Sequence, residues 1–150
     1  MQFDAVIFDM DGVLVDSEPT HFATTNRVLS GRGVALSRVE YDRCVGMDEQ
    51  AFFALLVERF HLEESADVLA RERVTASLIH LAEDPLPPLP GALELLLSLQ
   101  AEGKQLALAS SATRRQVDLI LDQLGVKRIF AASVSKDDVK RGKPAPASGA

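Results

Sequence analysis

The feature that most constrains this chain is the run Phe3-Asp4-Ala5-Val6-Ile7-Phe8 together with what closes it, the stretch DMDGVLVDSEP from Asp9 to Pro19. The run is short, β-rich and almost continuously apolar, which predicts a strand buried on both faces of a parallel sheet. In open parallel sheets ligands bind at the carboxyl ends of the strands. At that end this chain packs Asp9, Asp11, Asp16 and Glu18 into ten residues. Carboxylates gathered at the mouth of a buried strand need a solvated turn, or a partner that relieves their repulsion.

The rest of the chain decides which kind of sheet this is. From Glu18 to about Asp84 the pattern is helical: Phe52, Phe53, Leu56, Val57 and Phe60 share one face, and Ala66, Leu69, Ala70 and Val74 another. SGRG, Ser30 to Gly33, is a stop-and-turn signal between helices. EDPLPPLPG, Glu83 to Gly91, holds four of the chain's seven prolines and reads as a connector at a domain boundary. A leucine-rich helix is expected from Ala92 to about Glu102, stopped by Gly103. QLALAS, Gln105 to Ser110, reads as a second buried strand. Ser111 or Thr113 can cap the next helix, whose Val117, Ile120, Leu121 and Leu124 form one apolar face before Gly125. IFAASV, Ile129 to Val134, is a third strand candidate. The expected fold class is α/β: a Rossmann-like parallel sheet core over 1–17 and 85–150, with an α-helical domain inserted over 18–84.

Composition narrows the function. Apolar residues at 47% support a real core, and the formal net charge of −6 argues against a polyanion as main partner. Lys140-Arg141-Gly142-Lys143 is too short and too poor in aromatics for a nucleic-acid surface. It also fails as a P-loop, because Asp137 stands where the first glycine should be and Pro144 where Ser or Thr should be. Cys44 is the only cysteine, so no intrachain disulfide is possible; it reads as a small buried apolar residue in a reducing compartment. The N-terminus has no positively charged leader, and no stretch approaches the ~18 apolar residues of a membrane span. The expectation is a cytoplasmic protein with neither a membrane nor a nucleic acid as partner.

Three polar features fall at successive strand ends: Asp9 and Asp11, then Ser110, then Lys143. Two carboxylates two residues apart can converge on one divalent cation, and such hard oxygen donors suit magnesium. A carboxylate can attack phosphorus, a second can move the leaving-group proton, and a hydroxyl and an ammonium can hold phosphoryl oxygens. Each feature taken alone has a plainer reading, as a turn residue, a helix cap or a surface lysine. Their order along the chain is what makes a chemical set.

FDMDGVLVDSEP closely resembles the first signature of the haloacid dehalogenase superfamily, in the branch that looks like β-phosphoglucomutase and its sugar-phosphate phosphatase relatives. LALASSA resembles the second signature, GKPAP the third, and LPG, Leu89 to Gly91, the re-entry from a helical cap into the core. The resemblance implies that Asp9 is the nucleophile and a magnesium ligand. It implies that Asp11 is the general acid/base, with its main-chain carbonyl also on the metal. Ser110 would hold a phosphoryl oxygen, and Lys143 would bridge phosphate and nucleophile. Met10, Gly12 and Ser111 would belong to the phosphate cradle, while Glu18, His21, Gly46 and Met47 sit where such caps often meet the substrate or hinge. His21 otherwise reads as an ordinary helix-surface residue. His61 and His80 match no functional position, and Asp16 reads as a turn-shaping residue.

Two departures shape the expectation. True β-phosphoglucomutases carry a lysine and an arginine in the cap loop matching CVGMDEQ, where this chain has Val45 and Glu49. Family members also continue past KPxP into a helix and a fourth strand bearing the remaining metal carboxylates, whereas this chain reads KPAPASGA to Ala150. Three readings are open: a magnesium-dependent phosphatase of a small phosphorylated metabolite, such as a sugar phosphate; a catalytically incomplete piece of one; and, third, a phosphosugar mutase. A monomer is expected of the full-length parent. In the incomplete chain the first strand is expected to be an exposed edge open to self-association.

Overall fold

The computed structural model describes residues 3–140. The chain forms two compact units, one of the described residues up to Glu18 and from Leu81 onward, the other Pro19–His80. Lys143 and the GKPAP signature lie outside the described residues.

The first unit is a parallel three-stranded sheet in the order β1 (Ala5–Phe8), β2 (Gln105–Ala109), β3 (Ala132–Val134). Phe8 pairs with Leu108, and Leu108 pairs with Ser133, so the three strands end at one level. Helix α5 (Ala92–Ala101) leads into β2, and α6 (Arg114–Gln123) joins β2 to β3. Gly103 lies at positive φ just past α5, where a left-handed residue ends the helix. Thr113 is the N-cap of α6: its hydroxyl accepts from Gln116 N, and the Gln116 side chain accepts from Thr113 N, a closed capping box. The apolar side chains then pack as the alternating pattern requires. Phe8, Met10, Leu14, Val15, Leu96, Leu99, Leu106, Leu108, Val117, Ile120, Leu121 and Phe130 form one core.

Two sequence readings change. IFAASV gives a strand only over Ala132–Val134, because Lys127–Ile129 closes into a 3-10 turn. The first run is not buried on both faces: Phe8 is buried, but Ala5 is exposed and Ile7 is 72% exposed. Among the described residues β1 pairs only with β2 and forms an edge of the sheet.

The second unit holds most of α1 (Glu18–Ser30), α2 (Arg38–Asp42), α3 (Glu49–Phe60) and most of α4 (Ala66–Glu83). Its own core is Val28, Leu29, Leu36, Tyr41, Phe52, Phe53, Leu56 and Leu69. Aromatic rings meet edge to face along it, Phe22 with Tyr41, Tyr41 with Phe52, and Phe52 with Phe53. Ser37 opens α2 with a capping box to Glu40, and Asp48 caps α3 through Gln50 N and Ala51 N. Polar ties then cross long stretches of chain. The Asn26 side chain both donates to Leu36 O (2.9 Å) and accepts from Leu36 N (2.7 Å). Arg32 bridges Glu64 and Glu72.

Candidate active site

The loop leaving β1 is wound tightly around one carbonyl. Met10 O accepts from Val13 N, Leu14 N and Val15 N at 3.3, 2.8 and 3.2 Å, while Gly12 N returns to Val15 O at 2.8 Å. Gly12 sits at φ +73°, a conformation that costs an L side chain strain and costs glycine little. The Met10 side chain is wholly buried in the core beneath. This alternation places Met10 inward and Asp9 outward: Asp9 is exposed, and its Oδ1 accepts from Met10 N at 2.8 Å. The loop is pinned from behind by the chain returning through the proline connector, with Leu89 N bonded to Leu14 O at 2.8 Å.

Asp11 is held on both carboxylate oxygens. Ser17 Oγ donates to Oδ1 at 2.5 Å, and Ser110 Oγ donates to Oδ2 at 3.4 Å across the carboxyl ends of β1 and β2. Both serines are buried, and Ser110 Oγ also accepts from Ala112 N at 3.0 Å. Ser110 N bonds Val134 O at 2.9 Å, which ties this serine to β3 as well. Asp9, Met10, Asp11, Gly12, Ser110 and Ser111 thus share one end of the sheet. Ser111 is exposed there. Asp16 accepts from Glu18 N at 3.2 Å, an Asx-type contact at the start of α1.

The exit from β3, which leads toward Lys143, is fixed by one arginine. Arg114 donates to Ser133 Oγ and Ser133 O, both at 2.8 Å, pairs with Asp138, and its main-chain N bonds Asp137 Oδ2 at 2.7 Å. Hydrogen bonds from the Ser135 hydroxyl and main-chain N, then Arg114, hold the Asp138 carboxyl at about 2, below its ordinary 3.8.

The remaining sequence candidates belong to the helical unit or its first turn. Glu18 opens α1. His21 Nδ1 lies 2.7 Å from Arg73 Nη1, and Arg73 also pairs with Glu49. Gly46 and Met47 occupy the exposed turn before α3, with Gly46 at φ +86° and Met47 N bonded to Cys44 O at 3.0 Å. Cys44 is half-buried. Sequence reasoning misses Ser17 and Arg73. Ser17 has a signal, a hydroxyl one helical entry away from the aspartate pair; Arg73, 52 residues from His21, has none.

The donor set suits a hard divalent cation in part. Asp9 and Asp11 bring carboxylate oxygens and two negative charges to one loop, and magnesium is commonly held by one or two carboxylates, waters and substrate phosphate. Among the described residues no group of three or more Asp, Glu, His or Cys side chains assembles a fuller cage.

A model of the haloacid dehalogenase-like hydrolases matches residues 3–149. The chain belongs to this family. Among curated haloacid dehalogenase-like relatives, the phosphorylated carbohydrates phosphatase of Thermotoga maritima is 33% identical over 143 residues, 95% of this chain. Hexitol phosphatase B of Escherichia coli K12 is 31% identical over 146 residues, 97% of this chain. The chain spans 66% of the length of each of these relatives. A solved structure from Thermotoga maritima, a candidate beta-phosphoglucomutase, matches with a TM-score of 0.74 at 32% identity, covering 95% of this chain and 65% of that one. The α/β fold with its parallel sheet is therefore that of the haloacid dehalogenase-like hydrolases. No helix among the described residues is long and apolar enough to cross a membrane.

Proposed function

We propose that this haloacid dehalogenase-like protein is a phosphatase of small phosphorylated metabolites, a sugar phosphate being the favoured class, acting through an aspartyl-phosphate. The supporting observation is the double hydrogen bonding of Asp11, by Ser17 and Ser110, on a loop that leaves Asp9 exposed two residues earlier. The names of the two phosphatase relatives support the substrate class.

In this reading an Asp9 carboxylate oxygen attacks phosphorus, and the bond from phosphorus to the substrate oxygen breaks. Asp11, as the carboxylic acid, gives its proton to that leaving oxygen and releases the alcohol. Asp11, now a carboxylate, takes a proton from water as the water oxygen attacks the Asp9-bound phosphorus. The phosphorus–Asp9 bond breaks, inorganic phosphate leaves, and both carboxyl groups return to their starting states. With both its oxygens accepting from serines, Asp11 is drawn in the form the second half-reaction needs. Ser110, Ser111, the Gly12 loop and Lys143 are assigned the phosphoryl oxygens. Magnesium held by Asp9 and the Asp11 main-chain carbonyl would neutralise charge developing on those oxygens. The helical unit, with Glu18, His21, Gly46 and Met47, is assigned substrate selection.

A mutase reading is less well supported. The position where mutases carry a cap-loop arginine is Glu49, and this carboxylate is paired with Arg73. The test is hydrolysis of p-nitrophenyl phosphate by the 150-residue chain, with magnesium and with EDTA, beside Asp9→Asn. Metal-dependent turnover that falls on the order of 10⁴-fold in Asp9→Asn is the expected result for loss of a nucleophile. A folded chain with no turnover above that variant would overturn the phosphatase reading for this chain in favour of the catalytically incomplete one. A requirement for a sugar bisphosphate would favour the mutase.

A further inference from the structure

A groove of about 470 Å³ is lined by α1, the turn after it and α4, and every residue lining it belongs to the helical unit. Its apolar surface is formed by Val28, Val68, Ala76 and Ile79. Val28 and Ala76 are buried, whereas Ile79 is 42% exposed, a large apolar side chain held at the surface. Gly31, just past the end of α1, adds no side chain to the lining.

The charges of the groove divide into a satisfied set and an open one. Arg32 is satisfied, since it bridges Glu64 and Glu72. Arg27 and Arg71 are exposed, and neither guanidinium has a hydrogen bond, ion pair or ring contact among the described residues. Four of the helical unit's seven arginines, Arg32, Arg38, Arg59 and Arg73, are ion-paired. Two of the other three line this one groove, and the third, Arg43, lies outside it. The nearby carboxylates are engaged elsewhere: Glu72 by Arg32, and Asp67, one turn before Arg71, by Gln50 Nε2 at 2.9 Å. Arg27 has a local reason to be where it is, because a cation in the last turn of α1 suits the helix C-terminus. Arg71 has none, since it stands in the second turn of α4, where a cation gains nothing from the dipole.

We propose that this groove is a second binding site, which takes a small organic phosphate with an apolar body. The dianionic head pairs with Arg27 and Arg71, and the body covers Val28, Val68 and Ile79. Each guanidinium offers a planar fork of N–H donors that matches two oxygens of such a head, and two unpaired cations match its two charges. The volume is that of a metabolite site, and apolar walls with a few convergent polar groups are the usual make-up of one. None of the lining residues is among those assigned to phosphoryl transfer or substrate selection, so this site stands or falls independently of the proposed function.

The test is methyl NMR of the 150-residue chain in EDTA, titrated with phenylphosphonate, which carries an anionic head on an apolar ring and has no ester bond to hydrolyse. The methyl signals of Ile79 and Val68, assigned by Ile79→Val and Val68→Ala, should shift and saturate together. Inorganic phosphate and benzyl alcohol each carry half of the ligand's chemistry and should bind about tenfold more weakly or worse. Arg27→Gln and Arg71→Gln should each weaken phenylphosphonate about 3- to 10-fold, the size of one charged hydrogen bond at an exposed site. Arg43→Gln removes the same charge outside the groove and should leave the affinity unchanged at constant ionic strength. All three arginines are exposed and unpaired, so these variants keep the fold. Ile79→Ala, read at Val68, should weaken phenylphosphonate and spare inorganic phosphate. No saturable shift at Ile79 and Val68, or an equal loss in Arg43→Gln, overturns the site. Inorganic phosphate or benzyl alcohol binding as tightly as phenylphosphonate overturns the ligand class. Shifts of Ile79 that follow protein concentration with no ligand present would seat a second copy of the chain in the groove and overturn the small-ligand assignment.

Discussion

The two units of this molecule are organised by polar contacts of different reach. In the first, the hydrogen bonds that shape the aspartate loop are mostly local: Asp9 to Met10, Asp11 to Ser17, Asp16 to Glu18, and the turn around Met10 O. In the helical unit the ties that fix geometry leap along the chain, Asn26 to Leu36, Arg59 to Glu40, Arg32 to Glu64 and Glu72, and Arg73 to His21. A parallel sheet supplies a common level at which several strands end, so a few local turns suffice to gather chemistry there. A helical bundle has no such shared edge, and distant side chains must be brought together by packing. The first arrangement favours a constant reaction centre, the second a surface that can be redrawn by substitution.

The largest test of this division is core truncation. Leu96 and Leu69 are both completely buried, one in each core. Replacing either with alanine should cost about 2–5 kcal/mol, the lost transfer energy plus that of the cavity. Hydrogen exchange should locate the damage: Leu96→Ala loosens β1, β2, α5 and α6, while Leu69→Ala loosens α1, α3 and α4. Equal loss of protection everywhere would show one cooperative unit and break the comparison.

A finer test uses one polar residue from each side. Ser17→Ala removes the 2.5 Å hydrogen bond to Asp11 from a buried site. It should lower turnover by about 5- to 100-fold, equivalent to about 1–3 kcal/mol, while changing the melting temperature little, because Asp11 keeps Ser110. Asn26→Ala strands both main-chain groups of Leu36, and should cost about 1–3 kcal/mol of stability with turnover nearly unchanged. The two are compared by kcat/KM against urea midpoint. A stability loss from Ser17→Ala as large as that from Asn26→Ala would make Ser17 structural.

The reach of these contacts also explains how much of the molecule is legible in its sequence. The strand QLALA, the helix stop at Gly103, the Thr113 cap and the aspartate loop are each encoded within a few residues, and their physics is local. The α/β class follows from them, because alternating short strands and amphipathic helices leave few other arrangements. The exposure of Ile7 is not contained in its own run: whether an apolar strand is buried depends on what lies beside it. The shortening of the third strand comes from Lys127–Ile129 preferring a tight turn in a segment whose composition suits either state. Arg73 is invisible for the clearest reason, since nothing in ARERV says which of its charges will turn inward onto His21.

The smallest expected effect sets one acid against another across the two units. Ser37 and Ser135 each begin a box that closes on a carboxylate three residues later, Glu40 in the helical unit and Asp138 in the first. For both, hydrogen bonds from the serine hydroxyl and main-chain N are the leading cause, aided by Arg59 or Arg114, and both carboxyl groups are held at about 2. A depressed folded-state value means the ionised form is the stabilising one. The contribution is therefore complete above the ordinary values of 4.5 and 3.8, shrinks as pH falls below them, and is gone once pH has passed through about 2. Carboxyl-carbon NMR titration should show both groups still ionised at about pH 3. Glu40→Gln and Asp138→Asn should each be slightly less stable than the native chain near neutral pH, and the difference should vanish as pH approaches about 2. Asp138 is exposed and Glu40 half-buried, so salt should trim the arginine share at both, more at Asp138, and leave the serine share. If Glu40 titrates low and Asp138 near its ordinary 3.8, the Ser135 box is open in solution. The Arg114 clamp on the way to Lys143 would then be looser than its counterpart in the helical unit, reversing the contrast between the two regions.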